Sequence, residues 1–225
     1  MNRLAAIVVV LLIGGTAAAF AYTQGLKQTK SPIVATKVRP HQLSPTCKCP
    51  ANFRFLHISF GLRRSDHVSI EILNSSGNAV RSLVADRAVQ KGYRGFTWDG
   101  RADDGRRVAD GVYKARVDLA DADRTIDLPN RIVVDTVPPK ITGAVSHVTK
   151  TLLRVRYRFD EQAHALLFVN GKRVLRSLSY RPSGRVELLL REVPKRAVVA
   201  LVAQDLAGNL SRQRVLKLNV PRGKS

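Results

Sequence analysis

Four aspartates crowd into one short stretch, Asp99, Asp103, Asp104 and Asp110, and carboxylates at that density are what a calcium ion recruits from a flexible loop. The same residues have a second use. Asp99 precedes Gly100, Asp104 precedes Gly105 and Asp110 precedes Gly111, and Asp-Gly pairs mark places where a chain turns with positive φ. The turn reading is preferred, because the stretch joins two strand-like runs; no metal and no cofactor is expected. Cys47 and Cys49 flank a single lysine between Pro45 and Pro50. Two thiols with no histidine at ligand spacing are too few for a structural zinc. They can close a Cys47–Cys49 disulfide in an oxidising compartment, remain free, or pair with another chain. His41, His57, His67, His147 and His164 are scattered, without a Ser/Asp partner pattern, a Gly-rich phosphate loop or an HExxH pair, so the expectation is a protein that is not an enzyme.

The other chemistry is cationic. Leu153 to Phe159 alternates strictly and puts Arg154, Arg156 and Arg158 on one face of a strand. With Lys172, Arg173, Arg176 and Arg181 they form the candidate polyanion-binding surface, suited to anionic cell-wall polymer or lipid headgroups. The competing reading is a solvated edge that uses charge to block pairing between sheets. Few aromatics interleave with these cations, so nucleic acid is not an expected partner.

The elements that must position these residues follow from patterning over 225 residues with a net charge of +21. The charge is uneven: residues 46–136 carry 15 Lys/Arg against 12 acids, and residues 137–225 carry 18 against 5. The chain opens on Met1-Asn2-Arg3 and then an uncharged apolar run, residues 4–22, long enough for a membrane-spanning helix. Residues 1–22 are read as a signal anchor; Ala19-Phe20-Ala21 also fits a signal-peptidase site, in which case the body is secreted. Lys27, Lys30, Lys37 and Arg39 after the run weigh towards an inside body. The module types described below weigh the other way, and the expectation is a single-pass protein with its C-terminal body outside the cytoplasm. Residues 23–50, polar and punctuated by proline, are read as a stalk with an edge strand near Ile33 to Val38.

From residue 51 short alternating runs recur with turn residues between them and no helical period, which predicts an antiparallel β-sandwich over 51–136. Val134-Asp135-Thr136-Val137-Pro138-Pro139 ends it, since two prolines cannot donate to a ladder. A second sandwich is predicted over 137–225, with Asn170-Gly171 as a hairpin turn. The fold class is therefore all-β: two tandem sandwiches after an N-terminal transmembrane helix.

Gly95-Phe96-Thr97-Trp98-Asp99-Gly100, Asp103-Asp104-Gly105-Arg106 and Val108-Ala109-Asp110-Gly111-Val112-Tyr113 together resemble the signature of the FlgD-type Ig-like domain, a module of the flagellar hook-capping protein and of many secreted or surface bacterial proteins. The signature residues are Trp98, Asp99, Gly100, Gly105, Gly111 and Tyr113. Val134 to Pro139 with Asp205-Leu206-Ala207-Gly208-Asn209 is similar to tandem bacterial Ig-like repeats. The resemblance implies two Ig-like sandwiches and says little about task. The functional expectation is a membrane-anchored surface structural or adhesion protein; the alternative is a docking subunit of an envelope or flagellum-related assembly with a protein partner.

Overall fold

The computed structural model describes residues 3–27, 31–189, 191, 193 and 196–218, with the side chains of the first helix described over 7–20. That helix, α1 (Arg3–Lys27), has every described side chain exposed. Over the described residues no helix is long and apolar enough to cross a membrane.

Nine strands follow: β1 (Ile33–Arg39), β2 (Gln42–Leu43), β3 (Leu56–Leu62), β4 (Asp66–Leu73), β5 (Ala79–Val89), β6 (Gly92–Trp98), β7 (Gly111–Leu119), β8 (Arg124–Asp127) and β9 (Ile132–Val134). They make two sheets, β1-β3-β6 and β2-β9-β7-β4-β5, with β8 paired to β7. The alternation expected from the sequence turns one face of each sheet inward. Leu56, Ile58, Phe60 and Trp98 from the first meet Val68, Ile70, Ile72, Ala115, Val117 and Leu119 from the second in one buried core. The edge strand expected near residues 33–38 is β1, which lies antiparallel to β3; the stretch read as a stalk also supplies β2, parallel to β9, and its Ile33, Val38 and Leu43 are core residues. The reason is long-range pairing, which gives apolar side chains in a Pro-rich segment a place to be buried. β8, which the patterning of the sequence does not single out, pairs with β7 and extends that sheet.

The second unit consists of β10 (Ile141–Val148), β11 (Leu152–Val169), β12 (Lys172–Arg176), β13 (Arg181–Leu189), β14 (Val199–Asp205) and β15 (Arg214–Val215). Its spine is the 18-residue β11. The first half of β11 pairs with β10 and β13, and the second half with β12 and β14. Asn170 and Gly171 turn the β11–β12 hairpin at φ 48° and 80°, the double positive φ of a tight hairpin. A separate core gathers Leu153, Val155, Tyr157, Val186, Leu188, Leu201 and Leu216. The expected last strand reached residue 220; Arg214–Val215 is the part seen as strand, and residues 219 and 220 lie outside the described residues.

Candidate functional site

In the β10–β11–β13 region, odd and even positions part cleanly. Leu153, Val155 and Tyr157 go to the core, while Arg156 and Arg158 are exposed and Arg154 is part-exposed on the opposite face. The ladders then line up three rungs across that face. His147 lies opposite Arg154, which lies opposite Glu187; Val145 opposite Arg156, opposite Arg185; Gly143 opposite Arg158, opposite Ser183. Glu187 is the one acid on these rungs. Its Oε1 accepts from Arg154 Nε at 2.8 Å and sits 3.4 Å from Arg185 Nε, and the Arg154 guanidinium is the leading reason its carboxyl lies below the usual range. Arg156 and Arg158 have no ion pair or side-chain hydrogen bond to any described residue. Arg156 and Arg185 stand directly across from each other, and like charges in that position destabilise a sheet.

The arginine row read from the sequence is thus in place, and pairing adds Arg185, which sequence reasoning missed. Alternation in Arg185-Val186-Glu187-Leu188 hints at its outward direction, but only the register with β11 puts it beside Arg156. The other expected members do not join these rungs. Lys172, Arg173 and Arg176 pair along the second half of β11, opposite Val169, Phe168 and Leu166. Arg181 opens β13 opposite Ala163, beyond the register shift, with Nε donating to Ser179 Oγ at 3.2 Å.

The four clustered aspartates Asp99, Asp103, Asp104 and Asp110 each serve a separate turn or strap. Asp99 Oδ1 accepts from the Arg101 N–H, and Asp104 Oδ1 from the Arg106 N–H. Asp103 accepts from the Ser82 N–H and Asp110 from the N–H and hydroxyl of Thr136. Trp98 Nε1 donates to Arg101 O at 2.8 Å and the Tyr113 hydroxyl to Ala109 O at 2.7 Å, which closes the loop over the two rings. Gly100 and Gly105 take φ of 73° and 76°. Cys47 and Cys49 are joined as a disulfide with Cα atoms 5.1 Å apart. Of the histidines, His164 is buried, 3.2 Å from Ser177 Oγ and under the Tyr180 ring. Ser177 Oγ is itself tied to the Ala165 N–H and Ser179 O, so the pair is a structural tie.

A different carboxylate group closes the joint between the two units. Oxygens of Asp135, Glu161 and Asp205 lie within 4.8 Å of one another, and these are the described residues whose donor atoms could meet on one cation. Asp205, 1% exposed, accepts from the Asn209 N–H and side-chain amide, both at 2.8 Å. Asn209 Nδ2 also donates to Asp135 O at 2.9 Å, tying the end of the first sandwich to the second. Burial first, and then Asp205 and Asp135, push Glu161 up to about 7. A raised carboxyl means that the folded state holds a proton the unfolded chain has released. Stability therefore falls as pH rises from the ordinary carboxyl range to about 7 and levels above that. Glu161→Gln should remove this slope and add about 2 kcal/mol at pH 8, after allowance for solvent screening. Urea unfolding of wild type and variant at pH 5 and pH 8 checks it; an identical slope in both would refute the assignment.

Residues 58–123, from within β3 to the turn after β7, match the FlgD Ig-like domain. The first sandwich is an FlgD-type Ig-like domain. Among curated proteins no sequence matches the chain. Solved structures similar to it include the fibronectin(III)-like modules of Clostridium thermocellum CbhA, at 14% identity over 82% of this chain and 93% of that one, TM-score 0.43. Truncated FlgD from Helicobacter pylori is similar at 17% identity over 66% and 89%, TM-score 0.30. PorZ from Porphyromonas gingivalis, a surface component of a type-IX secretion system, is similar at 22% identity over 45% and 11%, TM-score 0.29. The matched segment takes in Trp98, Asp99, Gly100, Gly105, Gly111 and Tyr113, so the loop around Trp98 marks the FlgD-type domain, while the arginine rungs lie outside it.

Proposed function

We propose that this chain is a non-enzymatic structural protein of the bacterial cell surface, tethered to the membrane by its N-terminal segment and contacting anionic envelope material through the arginine face of its second domain. The observation that carries the reading is the Arg156–Arg185 rung, where two guanidinium groups face each other and the one acid in reach, Glu187, lies 3.4 Å from Arg185 Nε and is shared with Arg154, leaving Arg156 without an ion pair among the described residues. A sheet that keeps such a pair loses some stability by it, and an anionic ligand offsets that loss. The tether is supported by the uncharged run over residues 4–22 and by apolar side chains from Ile7 to Phe20 that stand exposed along α1. A body outside the cytoplasm agrees with the Cys47–Cys49 disulfide. The FlgD-type match favours one second reading, a docking subunit of an envelope or flagellum-related assembly that uses the first sandwich against a protein partner.

The full chain should sediment with membranes, lose its body to protease added outside intact cells, and be retained on heparin in a salt-dependent way. Replacing Arg154, Arg156 and Arg158 by Glu should abolish the retention. Unchanged retention in that triple variant refutes the face, and a body protected in intact cells refutes the location.

A further inference from the structure

Glu187 shows what the arginine face accepts. One carboxylate oxygen is shared between Arg154 on β11 and Arg185 on β13, spanning the gap between neighbouring strands. One rung further, Arg185 faces Arg156, and one rung beyond that stands Arg158, with no second acid on these rungs. Successive arginines on one face of β11 repeat at about 7 Å, because side chains two residues apart share a face. The neighbours are small or neutral: Gly143, Val145 and Ser183 leave the row uncovered.

Resting on the reading that this face binds anions, we propose that it is a track for one extended polycarboxylate chain, laid along β11, whose carboxylates repeat at Arg156, Arg158 and Arg185 the contact that Glu187 makes internally. Glu187 is then a built-in competitor at one end of the track, since it neutralises Arg154 and draws on Arg185. The shape argues for a linear polymer over a bilayer. The cations form a row on a sheet face, and among the described residues the large apolar side chain exposed on these rungs is Val145, 67% exposed, too little to anchor in a membrane interface.

The test uses the full chain in nanodiscs of neutral phosphatidylcholine and oligomers of mannuronate from one to six sugars. Affinity should rise with length until the oligomer covers the three rungs and then level. Arg156→Gln and Arg185→Gln, both on the exposed face, should each weaken binding about three- to five-fold. Glu187→Gln should tighten it by a similar factor, while Asp123→Asn, which changes net charge equally but lies on the first sandwich, should leave it unchanged. Retention on heparin without length-dependent oligouronate binding overturns the track and leaves the anion-binding reading standing; loss of both overturns both. Two further outcomes also overturn it. One is equal binding to vesicles containing phosphatidylglycerol, which assigns the face to lipid. The other is equal tightening by Asp123→Asn, which assigns the effect to diffuse charge.

Discussion

Trp98→Ala should destabilise the FlgD-type domain by about 3–5 kcal/mol, the cost of emptying a large buried aromatic site. The indole is 1% exposed and its centroid lies 5.5 Å from the Tyr113 ring at 60°, an edge-tilted geometry that adds to burial. It is also the donor to Arg101 O. Removing it leaves that carbonyl without its partner and loosens the loop that Tyr113 holds from the other side through Ala109 O. Trp98→Phe keeps part of the volume and loses the donor, so its cost should be about half as large. Because the two cores are separate, urea unfolding followed by circular dichroism should show one early transition in Trp98→Ala, with the second domain's transition in place. A single transition shifted as a whole would mean that the two sandwiches unfold as one unit and would refute the assignment of the loss to the first core.

Gly208→Ala should cost about 2–4 kcal/mol at the joint between the domains. Two effects add. Gly208 sits at φ +90°, where an L side chain is strained. A Cβ there would lie 2.6 Å from Phe53 Cγ and 2.8 Å from its Cβ, closer than carbon atoms approach. Phe53 is held by the short 3-10 turn Ala51–Phe53, and its carbonyl accepts from the Ser44 N–H, so it has little room to withdraw. Phe53→Ala in the Gly208→Ala background should restore the steric part of the loss and leave the part due to φ. Comparing the two single variants with the double variant in a denaturation cycle separates them. If Phe53→Ala restores nothing, the ring is not what Gly208 accommodates.

How much of this was readable beforehand depends on the distance over which each feature is specified. The alternation in β4, β7 and the first half of β11, the turn at Asn170-Gly171 and the loop around Trp98 are local, and they appear where the residue types put them. The edge strand near residues 33–38 is where the sequence puts it, but the share of the stalk stretch in the core is not legible there, because a Pro-punctuated run with isolated apolar residues carries no period of its own. Ile33 and Val38 count as core only once β3 offers a ladder. The candidate site divides the same way. Arg154, Arg156 and Arg158 are one strand's alternation, whereas Arg185 and Glu187 come to them across a register set by β13. Lys172, Arg173 and Arg176, near in sequence, fall along the second half of β11 because that strand changes partners part-way along its length.

Sequence alone determined that the chain is built of two β-rich units, that the first is of the FlgD type, that Asp99 and Asp104 shape turns, and that the second carries an arginine row. Each rests on patterning along contiguous stretches of chain, where backbone preference and side-chain period act directly. Tertiary structure decided the rest: the Arg156–Arg185 rung, the Glu187 carboxylate shared by two arginines, the joint of Phe53 with Gly208, and the carboxylates of Asp135, Glu161 and Asp205 brought within 4.8 Å of one another. Those groups meet through pairings between segments far apart in the chain. Nothing in a residue's own neighbourhood specifies which distant strand will lie beside it, or in what register.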